Sequence, residues 1–244
     1  MKKVTLKNLM LIGAIFGLVA CGSSSDNSNG GGEPEAGLAA DVQSAEVESS
    51  TDVQSAIDAP SSTLSQALKD AITYMYNEEG LAHDVYLNIY KVQAVKQLQN
   101  IATNSEVKHI EAVNQLAIKY DLNITKYPET DEPYSIDGIG NGLYSVPAVQ
   151  ALYNTLYAKG IKSKKDALEV GCMVEVVDIN DLNEYIELAE GSNAADVLEV
   201  FHFLRNGSYT HYWAFDEGLK NMDVTDGCCS LGGDYCHPEY PKKN

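Results

Sequence analysis

The feature that most constrains this chain is a set of ionisable residues on the apolar stripes of four predicted helices. Each stripe follows the alternating three- and four-residue spacing that places side chains on one face of a helix. Near its middle each stripe carries residues of metal-ligand type: Glu79, Glu106, His109, Glu175 and His211. Burying an ionisable group is costly unless a partner satisfies it. Because four helices each carry such a group near the middle of the apolar stripe, we predict that these groups share one site.

The same periodicity predicts an all-α domain. The expected helices cover roughly residues 63–91, 96–120, 163–189 and 194–220. The third helix begins at a Ser163 cap with Asp166 at the capping-box position. A long crossover joins the second and third helices, and it contains a short amphipathic helix near 146–159 with Pro147 at its first turn. One long crossover in the middle of four helices is typical of the ferritin-like bundle.

The first 20 residues have the pattern of a bacterial signal peptide. Three lysines precede an apolar stretch, Leu9–Ala20, which is short for a membrane span. Leu18-Val19-Ala20-Cys21 resembles a lipobox, in which Cys21 carries the lipid, palmitate included, and becomes the mature N-terminus. A plain signal peptide and a membrane anchor are the alternatives. Gly22 is not the aspartate associated with inner-membrane retention, so we expect the outer membrane or cell surface.

Composition divides the remaining chain into three parts. Residues 21–62 are rich in Ser, Gly and acidic residues and predict a disordered tether, although an imperfect repeat (Asp41–Ala45 and Asp52–Ala56) could form a nascent helix. The helical bundle is expected over 63–221, and a cysteine-containing tail over 222–244. Without the leader, 14 basic residues face 35 acidic ones, a net charge of −21. This balance argues against nucleic acid as a partner.

The spacing of the candidate ligands suits a pair of metal ions. Glu106-Val107-Lys108-His109 is a Glu-x-x-His pair with both ligands on the seam, and Glu175 is followed by Asp178 at the same spacing. Four carboxylates, from Glu79, Glu106, Glu175 and Asp178, would balance the charge of two Fe²⁺ ions. The prediction is a di-iron centre, with another divalent metal as the alternative.

These motifs resemble a known family. Glu79-x-x-Ala82-x-x-x-Tyr86 and Glu106-x-x-His109 look like rubrerythrin-type helix signatures. The stretch from Tyr76 to Phe215 more closely resembles the ferritin-like family of domain of unknown function 2202. The matching motifs lie at 78–86, 105–109, 166–171, 178–182, 207–215 and 235–240. The resemblance implies a ferritin-like bundle and no established activity.

The fourth helix departs from the rubrerythrin pattern. Ser208 and His211 stand where that pattern has Glu-x-x-His, so one metal would be held more weakly unless Asp178 or Glu78 compensates. Glu199 and His202 also spell Glu-x-x-His. They lie two and a half turns earlier on the helix, so we expect them on the opposite side.

Four cysteines remain after Cys21. They are Cys172, Cys228, Cys229 and Cys236. In an envelope compartment they predict disulfides, with three pairings open and a bridge from Cys172 to the tail geometrically plausible. A zinc site formed by the three tail cysteines with His237 is the alternative. No Cys-x-x-Cys pair is present, so redox turnover would require an external electron donor.

Two functional hypotheses follow. The first is an envelope-anchored, di-iron protein, whether an oxidase, a peroxidase or an iron-handling protein. Glu106 would bridge the two metals, Glu79 and Glu175 would bind at the ends, and His109 and His211 would complete the ligand sets. The second is a metal-free bundle that acts as an interaction or structural module. In either case the lipid membrane is the expected partner of the N-terminus, and the bundle could form a homodimer.

Overall fold

A computed structural model describes residues 52–125 and 140–242 of the chain. Across these two ranges the secondary structure is helical and contains no strand, which confirms the predicted all-α class. The predicted signal peptide, the lipidation site Cys21 and the first copy of the repeat lie outside the described residues. No helix within these ranges has the length and apolar character required to cross a membrane.

Six α-helices form the bundle within the described ranges, after a short helix at residues 52–58. They are α1 (Gln66–Gln93), α2 (Lys96–Ile101), α3 (Val107–Lys119), α4 (Pro147–Gly160), α5 (Lys164–Gly191) and α6 (Ala195–Lys220). A π-helical turn, Ala102–Glu106, joins α2 to α3, so these three segments act as one long helical unit. Two short 3-10 turns, Gly227–Leu231 and Gly233–Tyr235, follow α6.

The four long units pack as a bundle. Helices α5 and α6 lie against each other along their length, while α1 contacts both α3 and α5, and α3 contacts α6. Helix α4, within the predicted crossover, covers α1 and α5 from outside. The interior is filled by large apolar side chains such as Tyr86, Phe201 and Phe215, all fully buried. Each such burial stabilises the fold by roughly 1.5–3 kcal/mol.

Local sequence signals set the helix ends. The Ser163 hydroxyl caps α5 by accepting a hydrogen bond from Asp166 N at 3.0 Å, and it donates one to Asp166 Oδ2 at 2.5 Å. Pro147 occupies the first turn of α4, where its missing N–H costs nothing. Ala94 ends α1 in the left-handed region, at φ 53°, which turns the chain sharply into α2. The predicted starts of α4 and α5 are therefore confirmed.

The π turn differs from the continuous α-helix that the spacing predicted. A π turn holds one more residue than an α turn, which changes the faces that successive residues present. Ser105 and Glu106 are consecutive, yet both are buried, at 2% and 1% exposure. The insertion thus brings two neighbouring polar side chains into the interior.

The end of the predicted tether also differs from expectation. Residues 52–58 form a short helix, and Val53 on it is 5% exposed because it packs against the bundle. Farther along, the Ser62 hydroxyl donates to Asp196 Oδ1 at 2.7 Å, and Lys119 Nζ lies 2.7 Å from Asp196 Oδ2. The second copy of the repeat is attached to the domain by the packing of Val53 and by a hydrogen bond that Lys119 Nζ donates to Ala56 O at 3.2 Å.

Disulfides fasten the tail to the bundle. Cys172 on α5 is bonded to Cys228, and Cys229 is bonded to Cys236. The predicted bridge from Cys172 to the tail is present. Because all four cysteines form disulfides, no thiolate is left for the alternative zinc site.

The close approach of α5 and α6 gives a stability prediction. A Cβ on Gly171 would lie 2.5 Å from the Phe215 ring, so Gly171→Ala overpacks the core and should lower the free energy of unfolding by about 1–3 kcal/mol. Gly191→Ala is the matched control on the same helix, since nothing lies within 4 Å of its added Cβ. Denaturant unfolding measures both changes. Equal stability of the two variants would contradict this packing.

Candidate metal centre

Five of the six predicted ligands come together in the bundle interior. They form two groups, Glu79 with Glu106 and His109, and Glu106 with Glu175 and His211. In each group one ligand atom per residue lies within 4.8 Å of the others. The five side chains come from α1, the π turn, α3, α5 and α6, and each is at most 2% exposed.

The first group is centred on the His109 ring. Its Nδ1 lies 3.1 Å from Glu79 Oε2 and 3.1 Å from Glu106 Oε2. Glu106 ends the π turn and His109 is three residues later, so both side chains project from the same side of this helical unit. The Glu-x-x-His spacing thus yields the convergence that the sequence predicted.

The second group is centred on His211 of α6. Its Nδ1 lies 3.3 Å from Glu106 Oε1 and 3.4 Å from Glu175 Oε2. Glu106 therefore faces His109 with one oxygen and His211 with the other. The two imidazole rings are stacked with centroids 5.5 Å apart. One carboxylate between two imidazole nitrogens is an arrangement that can bridge two cations.

A second layer of side chains fixes the ligands. The Tyr86 hydroxyl donates to Glu175 Oε1 at 2.5 Å, and Ser105 Oγ lies 2.6 Å from His211 Nε2. A Cβ on Gly207 would overlap the His109 ring, so only glycine leaves room for that imidazole. Hydrogen bonds of this kind orient ligand rings and carboxylates.

Sequence reasoning gave Ser105 and Gly207 no role. Both lie inside motifs that the sequence shares with the family it resembles. A glycine within a helix costs about 1 kcal/mol relative to alanine, so Gly207 in mid-α6 was a signal of close packing. Ser105 had no comparable signal, because its burial depends on the π turn.

Asp178, the sixth predicted ligand, lies outside both groups. Ser208 Oγ donates a hydrogen bond to Asp178 Oδ2, so the serine that replaces the expected carboxylate of α6 is paired with an acid of α5. The other oxygen, Oδ1, is buried without a hydrogen-bond partner. Burial, followed by the charges of Glu79 and Glu175, raises the pKa of Asp178 well above its ordinary value. The carboxyl group is thus close to the centre without facing either imidazole.

The pKa of the shared carboxylate, Glu106, is shifted in the opposite direction from those of Glu79 and Glu175. Burial raises the pKa of Glu79 to about 7 and also raises that of Glu175. Burial opposes charge on His211 and His109 as well, but the surrounding carboxylates outweigh it and raise the pKa of His211 to about 10. The pKa of Glu106 is lowered despite its burial, because both imidazoles stabilise its charge.

The donor set fits a divalent metal. Three carboxylates and two imidazole nitrogens are ligands that suit iron, manganese or zinc. Glu79 Oε1 is buried without a hydrogen-bond partner, and His211 Nδ1 has only its two carboxylate contacts, at 3.3 and 3.4 Å. An unmade hydrogen bond at a buried polar atom costs about 1–3 kcal/mol, and coordination to a cation would remove that cost.

The Glu-x-x-His sequence at Glu199 and His202 lies apart from the centre. Glu199 is exposed and His202 is half-buried. The pKa of His202 is lowered by partial burial and by the charge of Arg205. This agrees with the expectation that the pair faces away from the seam.

The part of the chain that matches known proteins coincides with the helical domain. The family model described as an uncharacterized protein domain, DUF2202, matches residues 68–226. Uncharacterized protein MJ0754 of Methanocaldococcus jannaschii is 36% identical over 162 residues, covering 66% of this chain and 80% of that protein. The crystal structure of hypothetical protein MJ0754 aligns with a TM-score of 0.58 at 35% identity, covering 68% of this chain and 87% of the other.

The charge distribution predicts how the metal-free stability depends on pH. Folding raises the pKa of Glu79 from 4.5 to about 7 and that of His211 from 6.5 to about 10. Between each pair of values the folded state binds more protons than the unfolded state, so stability falls as pH rises. Chelator-treated protein should therefore melt at a lower temperature near pH 9 than near pH 5. Glu79→Gln should flatten the acidic half of this curve, and a wild-type melting temperature that rises with pH would contradict the assignment.

Proposed function

The chain belongs to the DUF2202 family, and from its buried site we propose that it is a ferritin-like protein that binds two divalent cations, with iron as the preferred metal. The observation that carries the proposal is the position of Glu106. Its two oxygens face the Nδ1 atoms of His109 and His211 at 3.1 and 3.3 Å. If His109 and His211 were only structural histidines, each could be hydrogen-bonded to its own partner, and a single carboxylate would not need to contact both.

Each cation would have its own ligands in addition to the shared one. Glu79 and His109 would hold one ion, and Glu175 and His211 would hold the other. The arrangement favours a di-iron centre because the carboxylates of the three glutamates offset most of the charge of two Fe²⁺ ions in a low-dielectric interior. A bound iron pair would supply redox chemistry toward oxygen or peroxide.

The chain's own residues prepare the site for this role. Tyr86 and Ser105 hold Glu175 and His211 in place through hydrogen bonds. The near-complete burial of the ligands excludes bulk water. Since the four later cysteines form disulfides, an oxidoreductase of this kind would take its electrons from an external donor. An iron-handling protein would need no such donor.

One observation favours a second candidate function. Ser208 replaces the carboxylate expected on α6, and it is satisfied by Asp178 without a metal. On this alternative the bundle is a metal-free interaction or structural module that retains ligand residues. The buried Glu79 Oε1 atom, which has no hydrogen-bond partner, argues against it.

We also propose that the domain is anchored in the cell envelope. The lipobox-like sequence ending at Cys21 supports lipidation, and the acidic stretch that follows would hold the domain away from the outer membrane or cell surface. A second copy of the chain is a further candidate partner.

Metal analysis tests the proposed centre. Purified domain exposed to Fe²⁺ or Co²⁺ without oxygen should retain two ions per chain, whereas Glu106→Ala should lose both because it removes the shared ligand. Glu199→Ala is the matched control, since it alters an exposed Glu-x-x-His sequence on α6. Circular dichroism establishes that each variant is folded. Wild-type protein that binds no metal, or a Glu106→Ala variant that still binds two ions, would contradict the proposal.

Fractionation tests the anchor. A Cys21→Ser variant cannot receive the lipid, so it should move from the membrane fraction to the soluble envelope fraction or remain as the unprocessed precursor. A wild-type protein that is already soluble would contradict lipidation. Metal binding should be the same for the purified lipidated protein and for the Cys21→Ser variant.

A further inference from the structure

Three carboxylates follow one another along α5, and the first is a candidate metal ligand. Glu175, Asp178 and Asp181 are spaced by three residues. Each step moves about 4.5 Å along a helix and about 60° around it. The row therefore begins at the centre and turns gradually around α5 as it moves away from it. Asp178 and Asp181 are both 5% exposed, compared with 2% for Glu175.

Glu78 meets this row from the opposite helix. It lies on α1, which packs against α5, and it shares a hydrogen bond with Asp181. Burial, and then the charges of Asp181 and Asp178, raise the pKa of Glu78 well above its ordinary value. Glu78 and the three acids of α5 thus line the contact between α1 and α5. The row extends away from the metal centre along this contact. The mutual repulsion of these four acids in a buried position requires compensation.

Unsatisfied oxygens occur along this path. Glu78 Oε2 and Asp178 Oδ1 are buried and have no hydrogen-bond partner, and the two residues are 7% and 5% exposed. Such atoms are uncommon in folded proteins, because leaving a buried oxygen without a hydrogen bond destabilises the fold. A cation that passed between α1 and α5 would meet both oxygens. Packing alone gives no reason to place acids of α1 and α5 opposite one another.

We propose that Glu78, Asp178 and Asp181 form a transit site through which a divalent cation enters the dinuclear centre. The inference rests on the proposed metal function. The three acids are not within the tight ligand groupings found among the described residues, which suits brief residence on the way to the stronger site. Asp178 is central to the path because it is close enough to the centre for the charges of Glu79, Glu175 and Glu106 to act on it.

Two buried tyrosines lie beyond the acids on the same two helices. Tyr74 is one turn before Glu78 on α1, and Tyr185 is one turn after Asp181 on α5. Their rings meet edge to face at 6.0 Å, and both are at most 5% exposed. The pair covers the acids from that end. Of the four acids, Glu78 and Asp181 are the ones nearest this tyrosine pair along the two helices.

The test is the rate of cobalt loading into the full-length protein. Co²⁺ absorbance in a stopped-flow instrument gives the rate, and equilibrium dialysis gives the final stoichiometry. The double variant Glu78→Gln with Asp181→Asn should load about tenfold more slowly or worse, because an acidic path raises cation on-rates by at least that factor. Its final stoichiometry should remain two ions, since the ligands of the centre are unchanged.

A matched control and two further outcomes complete the test. Glu184→Gln, at an exposed acid on α5 three residues after Asp181, should load at the wild-type rate. A double variant that loads as fast as wild type would overturn the transit site while leaving the dinuclear centre intact. Wild-type protein that takes up no Co²⁺ would overturn the proposed function and the transit site together. Both substitutions keep side-chain shape, and melting curves would reveal any loss of fold.

Discussion

The structure of the interior depends on one buried carboxylate that two imidazoles share. Glu106 is 1% exposed, and its two oxygens face His109 and His211. A charge in this position is stable only because cationic groups lie on both sides, which also lowers the pKa of Glu106. Two neighbouring features allow Glu106 and the imidazoles to adopt these positions. The π turn brings Glu106 inward beside Ser105, and Gly207 leaves space for one of the rings. Removing Glu106 would leave two buried imidazoles facing each other.

Much of the fold could be predicted because its signals are local. The alternating three- and four-residue spacing of apolar residues located the four long units, and Ser163 and Pro147 marked two helix starts. The π turn could not be predicted, because a change from one hydrogen-bond register to another leaves no pattern in residue type. The helix at 52–58 was expected only as an alternative to a disordered tether. Its composition resembles a tether, and only Val53, packed against the bundle, gives it a fixed position.

The centre was partly predictable for a different reason. Acids and histidines on an apolar stripe violate the pattern around them, so Glu79 and His211 could be recognised without coordinates. Glu78 was recognised only as a possible substitute for the carboxylate missing from the fourth helix, because it lies beside the stripe. Its burial arises from tertiary structure. Helix α1 is covered on several sides. Asp84, six residues after Glu78, accepts hydrogen bonds from the backbone of Gly140 and Gly142 in the crossover, at 2.9 and 3.0 Å.

The central claim is that this buried cluster is a two-cation centre. Crystals of the domain grown with Co²⁺ or Fe²⁺ and measured at the absorption edge of the metal would test it directly. Two anomalous peaks should appear on opposite sides of the Glu106 carboxylate, one beside His109 and one beside His211. An interior without peaks, in crystals that have been exposed to saturating metal, would contradict the account and leave the bundle as a metal-free module.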